Sequence, residues 1–224
     1  MIALYLLFLV AMSVLSLSYR YAAEAPGAPV WLKRLPVPAW GNFFIYAGLM
    51  AVSCLGIFTF MMQSMFVPSA SMAPGLQPGQ TILVKPAAFG VVNPFTGTHL
   101  TDGNFNSLQR GDVVLAKFAY NADVRYIKRV VALPGDTISV SPNGYTINGQ
   151  AVPFTPTDDP LIYDVALNNH RYQIKIDPEK TFLKQSEVEV PAGYVYMLGD
   201  NLTKSSDSRD LGFIPIHNII ARPY

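Results

Sequence analysis

Apolar and polar positions divide the chain into two regions with different periods. The first holds two long apolar runs: Met1–Ser18 has no charged side chain, and Gly41–Val67 (GNFFIYAGLMAVSCLGIFTFMMQSMFV) is uncharged throughout. A hydrocarbon core of roughly 30 Å takes about 20 residues of apolar helix. The second run therefore predicts a transmembrane helix over 41–67. The first predicts a shorter one over 1–18, with Tyr19 and Tyr21 able to extend it into the interface. A cleavable export signal starts with a basic segment, and no basic side chain precedes the first run, so it reads as a retained span. The connecting loop, 19–40, holds Arg20, Lys33 and Arg34, which places it in the cytoplasm by the positive-inside rule. Its Pro- and Ala-rich stretches read as linker, and Tyr19, Trp31 and Trp40 suit the interfacial belts. The N-terminus and everything from Pro68 to Tyr224 are then expected on the outer side.

From Thr81 onward the period becomes that of β-strands. Short β-branched or aromatic runs fall at Thr81–Val84, Asp112–Phe118, Val124–Leu133, Thr137–Val140, Tyr145–Ile147, Arg171–Ile176 and Tyr194–Leu198. Turn signals separate them, among them Pro78-Gly79, Gly111-Asp112, Pro134-Gly135-Asp136 and Ala192-Gly193. Asn143-Gly144 and Asn148-Gly149, so close together, predict small hairpins. No segment carries a long 3.6-residue apolar period. The expected fold is therefore two N-terminal transmembrane helices followed by an all-β domain over 68–224, with closed or partly closed sheets. The loop Ala88–Leu108, rich in Gly, Asn and Thr, is expected to be mobile.

Composition sharpens this picture. Half of the residues are apolar and only 14% are charged, against about a quarter in soluble domains. With Arg20, Lys33, Arg34 and Glu24 upstream, the outer region holds 13 basic and 14 acidic residues. Such balance leaves no basic patch for nucleic acid, and points to a partner chosen by shape and apolar contact. The single cysteine, Cys54, lies in the second apolar run; it permits no intrachain disulfide and reads as a small packing residue.

Candidate chemistry narrows quickly. His99, His170 and His217 sit among loop or polar residues and read as surface groups. No His or Cys spacing supports a metal, and no nucleophile elbow, phosphate loop or dinucleotide signature is present. Neither a metal nor a cofactor is expected. Ser71, in Pro68-Ser69-Ala70-Ser71-Met72-Ala73-Pro74 just past the second run, would need a base other than histidine. Lys128 can serve if burial lowers its pKa, because desolvation penalises the ammonium form. It lies in an apolar strand beside Tyr126, Ile127, Val130 and Val131, where alternation could turn it inward. A lysine in a strand can equally lie in solvent with its stem on the surface. Arg129, next along, would face the other way.

Four ordered segments carry a resemblance. They are Pro68-Ser69-x-Ser71-Met72-x-Pro74; Arg110-Gly111-Asp112-Val113-Val114; Tyr126-Ile127-Lys128-Arg129-Val130 with Leu133-Pro134-Gly135-Asp136; and Gly199-Asp200-Asn201 with Ser205-x-Asp207-Ser208-Arg209. Behind two apolar spans, and covering Met65–Arg222, they resemble the conserved boxes of the bacterial type I (leader) signal peptidases. The resemblance implies a serine–lysine endopeptidase of the inner (cell) membrane, multi-pass, with its catalytic domain on the periplasmic side. Its substrates would be preproteins with signal peptides, cut after Ala-x-Ala-type sites. Its surroundings would be the lipid bilayer and the neighbourhood of the secretion translocon.

Carried over residue by residue, the resemblance makes Ser71 the nucleophile and Lys128 the general base. Ser205 orients the lysine through a hydrogen bond, and Ser69 joins the Ser71 backbone N–H in an oxyanion hole. Asp207 and Arg209 form a supporting ion pair, with Asp200 and Asn201 as further structural support. Val67, Pro68, Met72, Leu76, Ile82, Tyr126 and Ile127 match or adjoin pocket positions for small substrate side chains. The segment Asp123–Tyr126 could receive an extended substrate strand. Bland readings stand beside these: Ser69 as a helix cap, Asp200 and Asn201 as turn formers. The chain departs from some relatives in lacking an outer-domain disulfide and in having a short outer domain. The same residues would suit a specialised pilin-maturation peptidase of a conjugation system. Self-cleaving repressors of the SOS type share the serine–lysine pair but lack spans. A non-enzymatic membrane-anchored β-domain that binds envelope proteins gives no reason for all four segments.

Overall fold

The computed structural model describes parts of residues 11–29, residues 46–54, 56, 63–90, 93, 99–101, 103–118, 121–182 and 184–224. The chain divides into two compact units, 1–59 and Phe60–Tyr224. In the first, residues 46–54 are helical and Cys54 is exposed with a free thiol. Among the described residues no helix is long and apolar enough to cross a membrane. Of the proposed span over 1–18 only residues 11, 14, 17 and 18 are described, each helical, and of that over 41–67 residues 41–45, 55 and 57–62 lie outside the described residues.

The second unit is all-β, as its period predicts. One sheet of seven strands runs in the order β1-β2-β14-β3-β4-β12-β13. Its members are β1 (Gln63–Phe66), β2 (Thr81–Lys85), β3 (Val113–Phe118), β4 (Asn121–Ala132), β12 (Tyr194–Leu198), β13 (Ile214–Pro215) and β14 (Ile219–Pro223). A four-stranded sheet joins β5 (Thr137–Ser141), β6 (Gly144–Ile147), β7 (Gln150–Pro153) and β11 (Gln185–Glu189). A three-stranded sheet joins β8 (Thr155–Pro156), β9 (Ile162–Leu167) and β10 (His170–Lys175). Every named pair is antiparallel.

Alternation explains the packing. In β5 and β6 every second side chain is buried, which sends Ile138, Val140, Tyr145 and Ile147 into one core. Val165, Leu167 and Ile174 of β9 and β10 reach the same core, together with Tyr196 and Leu198 of β12. Strand β3 is buried almost throughout because it has cores on both faces. Val114, Ala116 and Phe118 enter one; Leu115 enters another with Val67, Met72, Val84 and Ile127. The two-residue loop Asn148-Gly149 has positive φ at both positions, 51° and 75°, the primed geometry that closes the β6–β7 hairpin.

Two expectations change. The apolar run 41–67 does not stay helical to its end, because Gln63–Phe66 forms β1 and pairs residue for residue with Val84–Thr81 of β2. Gln63 and Ser64 supply the polarity that a lipid-facing turn would lack, and Gly41–Met62 still gives a stretch of about 20 residues. The loop Ala88–Leu108 is anchored where it is described. Phe89 and Leu108 are core residues, Phe105 stacks on Phe89 with centroids 5.6 Å apart, and Asn104 N–H donates to the Phe89 carbonyl. Residues 91–92, 94–98 and 102 of that loop lie outside the described residues.

Candidate active site

Ser71 sits in a single 3₁₀ turn, Ala70–Met72, within the connection between β1 and β2. Its neighbours hold the turn in place. Val67 and Met72 are 3% and 1% exposed in the core of β2 and β3. Val67 N–H donates to Gln80 O at 2.8 Å, and Leu76 N–H to Met72 O at 2.9 Å. The Ser71 carbonyl accepts the Asn201 N–H at 3.0 Å. Gly199 packs so closely beneath that a Cβ there would overlap both Ser71 O and the Ser205 side chain. The nucleophile candidate is therefore fixed by its backbone, and its hydroxyl remains only partly covered.

Lys128 approaches from β4. The residue is 3% exposed, and its Nζ lies 2.8 Å from Ser71 Oγ. Burial lowers its pKa from near 10.5 to about 8, with the charges of Asp207 and Asp200 pulling the other way and that of Arg209 reinforcing the fall. A neutral amine at this distance can accept the hydroxyl proton. Ser69 occupies the cap position of the turn, but its side chain makes no capping bond. Its Oγ lies 3.2 Å from Ser71 Oγ instead.

Adjacent strand residues face opposite ways, and Arg129 uses its side of β4 differently from Lys128. Its Nε and Nη2 donate to the two Asp200 oxygens at 2.8 and 2.7 Å, and Nη1 donates to Gly111 O at 2.6 Å. The guanidinium carbon lies 3.8 Å from the centre of the Tyr172 ring. Burial opposes the charge, yet the Asp200 hydrogen bonds hold the Arg129 pKa above its ordinary value. Asp200 and Asn201 are thus more than turn formers: one grips Arg129, the other grips Ser71. The structural weight of Arg129 was not visible in the sequence beyond its place in a segment; its partner lies 71 residues away.

Asp207 and Arg209 form the expected ion pair, Nε to Oδ1 at 2.8 Å, both side chains fully buried. Asp207 also accepts the Gly199 N–H at 3.0 Å and caps the one-turn helix Ser208–Leu211. Ser208, overlooked as a functional residue, has an Oγ that accepts the Met197 N–H at 2.9 Å. Ser205 departs from expectation. Its Oγ is buried without a hydrogen-bond partner among the described residues, so it does not bond Lys128 here. Its Oγ lies against Gly199, where a Cβ would overlap it.

The pocket candidates divide. Val67, Met72 and Ile127 are buried in one cluster, with Leu76 and Ile82 partly buried against it; Pro68 is exposed. Tyr126 belongs to the neighbouring cluster, edge-on to Phe118, with Lys128 Nζ 6.0 Å from its ring centre. Of the histidines, His99 Nε2 meets the Ile219 carbonyl at 2.8 Å. His170 lies 3.6 Å from Asp112, and His217 is exposed.

An all-β frame that holds a serine hydroxyl against a buried lysine amine defines a serine–lysine class of protein. The chain belongs to the signal peptidase, peptidase S26 family, whose model matches residues 38–223. Signal peptidase I of Pseudomonas aeruginosa is 29% identical to it over 185 residues, covering 74% of this chain and 64% of that protein. Signal peptidase I of Buchnera aphidicola is 30% identical over 215 residues, covering 73% of this chain and 69% of that one. The chain thus spans about two thirds of the length of these relatives. A solved signal peptidase I from Enterococcus faecalis overlaps at a TM-score of 0.36 and 24% identity, over 52% of this chain and 97% of its own, too loosely to carry weight.

Proposed function

We propose that this chain is a membrane-bound serine endopeptidase that removes signal peptides from exported preproteins, with Ser71 as nucleophile and Lys128 as general base. The observation that carries the reading is the 2.8 Å approach of Lys128 Nζ to Ser71 Oγ, made by an amine that burial brings to a pKa of about 8. Membership of the signal peptidase family supports the substrate class.

In this account Lys128 takes the Ser71 proton as Oγ attacks the scissile carbonyl. The C–N bond breaks, Lys128 gives the proton to the departing amine, and the signal peptide remains as an ester on Ser71. Water then loses a proton to Lys128 and attacks the ester, and Ser71 recovers its proton as the acid leaves. The oxyanion formed in each step is met by the Ser71 N–H and by Ser69 Oγ, whose hydroxyl is close enough to rotate towards it. One such donor is worth roughly 3–4 kcal/mol in comparable sites. Val67, Met72, Ile127, Leu76 and Ile82, with exposed Pro68 and with Tyr126 on the lysine side, form the walls that exclude large substrate side chains. The substrate chain runs extended along Asp123–Tyr126. Asp200, Asn201, Asp207 and Arg209 support this frame, and Ser205, buried beside Gly199, is the residue that orients Lys128.

Two spans within 1–18 and 41–62, joined by a cytoplasmic loop, would hold the β-domain at the periplasmic face of the inner membrane, near the translocon. An exposed apolar patch fits that placement. Phe66 is 59%, Leu83 47% and Tyr224 68% exposed. Register puts Phe66 opposite Thr81 and Ser64 opposite Leu83, and Tyr224 N–H donates to Leu83 O. Phe66 and Leu83 share one face of the edge strand β1 and its neighbour β2, and Tyr224, just past β14, continues that face beside Leu83.

The test is cleavage of a purified preprotein by the detergent-solubilised chain and by its Ser71→Ala and Lys128→Arg variants. Cleavage after an Ala-x-Ala site, lost in both variants, is expected, since a guanidinium does not deprotonate at accessible pH. Cleavage that survives Ser71→Ala contradicts the nucleophile; activity in Lys128→Arg contradicts the base.

A further inference from the structure

The seven-stranded sheet carries both groups of the proposed dyad, and the β9–β10 hairpin of the three-stranded sheet touches neither of them. The hairpin nevertheless contacts the back of the site at three places. At its turn, the His170 ring lies so close to Gly111 that a side chain there would overlap it; the Gly111 carbonyl is the one that accepts Arg129 Nη1. At its centre, Tyr172 lies face-on to the Arg129 guanidinium at 3.8 Å. At its end, Lys175 N–H donates to Asp200 O at 2.8 Å, and Lys175 O accepts the Leu202 N–H at 2.9 Å. These bonds add Lys175 as a parallel bridge beside Asn201.

We propose that Tyr172 is a positioning residue for Ser71, acting through Arg129, Asp200 and the Asn201 amide. The proposal rests on the reading of Ser71 as the nucleophile. The chain of contacts is short and each link is directional. Tyr172 covers one face of the guanidinium, so Arg129 stays in the plane that meets both Asp200 oxygens. Asp200 fixed in this way places Asn201, whose N–H holds the Ser71 carbonyl at 3.0 Å. Nothing in the chain has slack, because Gly199 already packs against Ser71 O with no room for a methyl group. A shift of the 199–201 segment therefore moves Ser71 relative to Lys128, and displacements near 1 Å can cost about 100-fold in rate.

The ring, not the hydroxyl, is the working part. Tyr172 OH is buried against Tyr145, while the Arg129 hydrogen bonds go to Asp200 and the Gly111 carbonyl. Flat cover is what a guanidinium prefers, since its planar face is weakly hydrated and stacks on aromatic rings.

The experiment compares steady-state cleavage, and the rate at which a serine-directed acylating reagent labels Ser71, in the full detergent-solubilised chain. Tyr172→Phe is expected to keep wild-type kcat within about two-fold. Tyr172→Leu, which retains bulk but no flat face, is expected to lower kcat at least ten-fold, with labelling slowed in parallel and KM within about two-fold. Val165→Ala is the control. Val165 pairs with Tyr172 across the hairpin and is buried in the core, so its truncation should lower Tm and leave kcat unchanged. If Tyr172→Leu does not fold, Tyr172→Met takes its place. Unchanged kcat in the Leu or Met variant overturns the proposal. So does a rise in KM alone, an equal loss in Tyr172→Phe, or an equal kcat loss in Val165→Ala. Wild-type labelling on a residue other than Ser71 would instead overturn the nucleophile reading on which the proposal stands.

Discussion

Burial separates Lys128 from the other described lysines, and burial has a thermodynamic consequence that can be measured apart from catalysis. Below about pH 8 the folded protein holds a charged amine out of water, while the unfolded chain hydrates it. Between about 8 and 10.5 the folded state has lost that proton and the unfolded state still keeps it, so stability rises with pH across this window. Lys128→Met should therefore abolish cleavage yet raise Tm at pH 7, with the gain shrinking as pH approaches 10.5; a lower Tm at pH 7 would contradict the desolvation argument. Gly199 gives a second prediction at this scale. A methyl group there meets Ser71 O and Ser205, so Gly199→Ala should lower kcat about 100-fold with little change in KM, read from initial rates. Ser71 and Lys128 stood out in the sequence through the four ordered segments and the resemblance they carry; a lysine in an apolar strand could by itself equally have lain in solvent. Ser205 was legible only as part of a segment, and its tuck against Gly199 depends on a backbone approach that residue types do not encode.

Strands with clean alternation, such as Thr137–Ser141 and Gly144–Ile147, could be read from pattern alone, and so could the continuous apolar run Tyr194–Leu198. Others were hidden for physical reasons. Gln185–Glu189 is mostly polar because it is an edge strand, paired only with β5. Ile219–Pro223 ends in a proline, and Gln63–Phe66 lay inside an apolar run that reads as membrane helix. The segment Gly199–Leu211 shows how little regular structure a site needs when its polar groups are satisfied. Asp207 alone receives the Gly199 N–H, the Arg209 guanidinium and the Arg209 N–H. Asp207→Ala would leave the fully buried Arg209 side chain without its carboxylate, and a buried pair broken on one side costs roughly 3–5 kcal/mol. Urea denaturation should report a loss of that order; a loss below about 1 kcal/mol would mean that Arg209 finds water or another partner.

At the scale of the whole molecule, the sequence announced an all-β domain behind two apolar runs, and the described second unit is all-β. What it could not announce was how two sheets meet at one place: the seven-stranded sheet and its β1–β2 connection bring Lys128 to Ser71, and the β9–β10 hairpin of the three-stranded sheet packs behind them. Contacts such as Tyr172 on Arg129 join residues far apart in the chain, and no local pattern records them. The exposed Phe66, Leu83 and Tyr224 face adds a prediction at this scale. Replacing all three with serine should leave hydrolysis of a short soluble peptide unchanged and lower the rate on a vesicle-inserted preprotein several-fold, as comparison of the two assays would show. Equal rates on both substrates would remove the patch from membrane contact. The central claim is that a buried, neutral lysine activates Ser71, and the pH dependence of Ser71 acylation by a serine-directed reagent tests it most directly. The account predicts labelling on Ser71 whose rate climbs through an apparent pKa of about 8 and vanishes in Lys128→Arg. A rise centred near the ordinary histidine range, or labelling that survives the arginine variant, would contradict it.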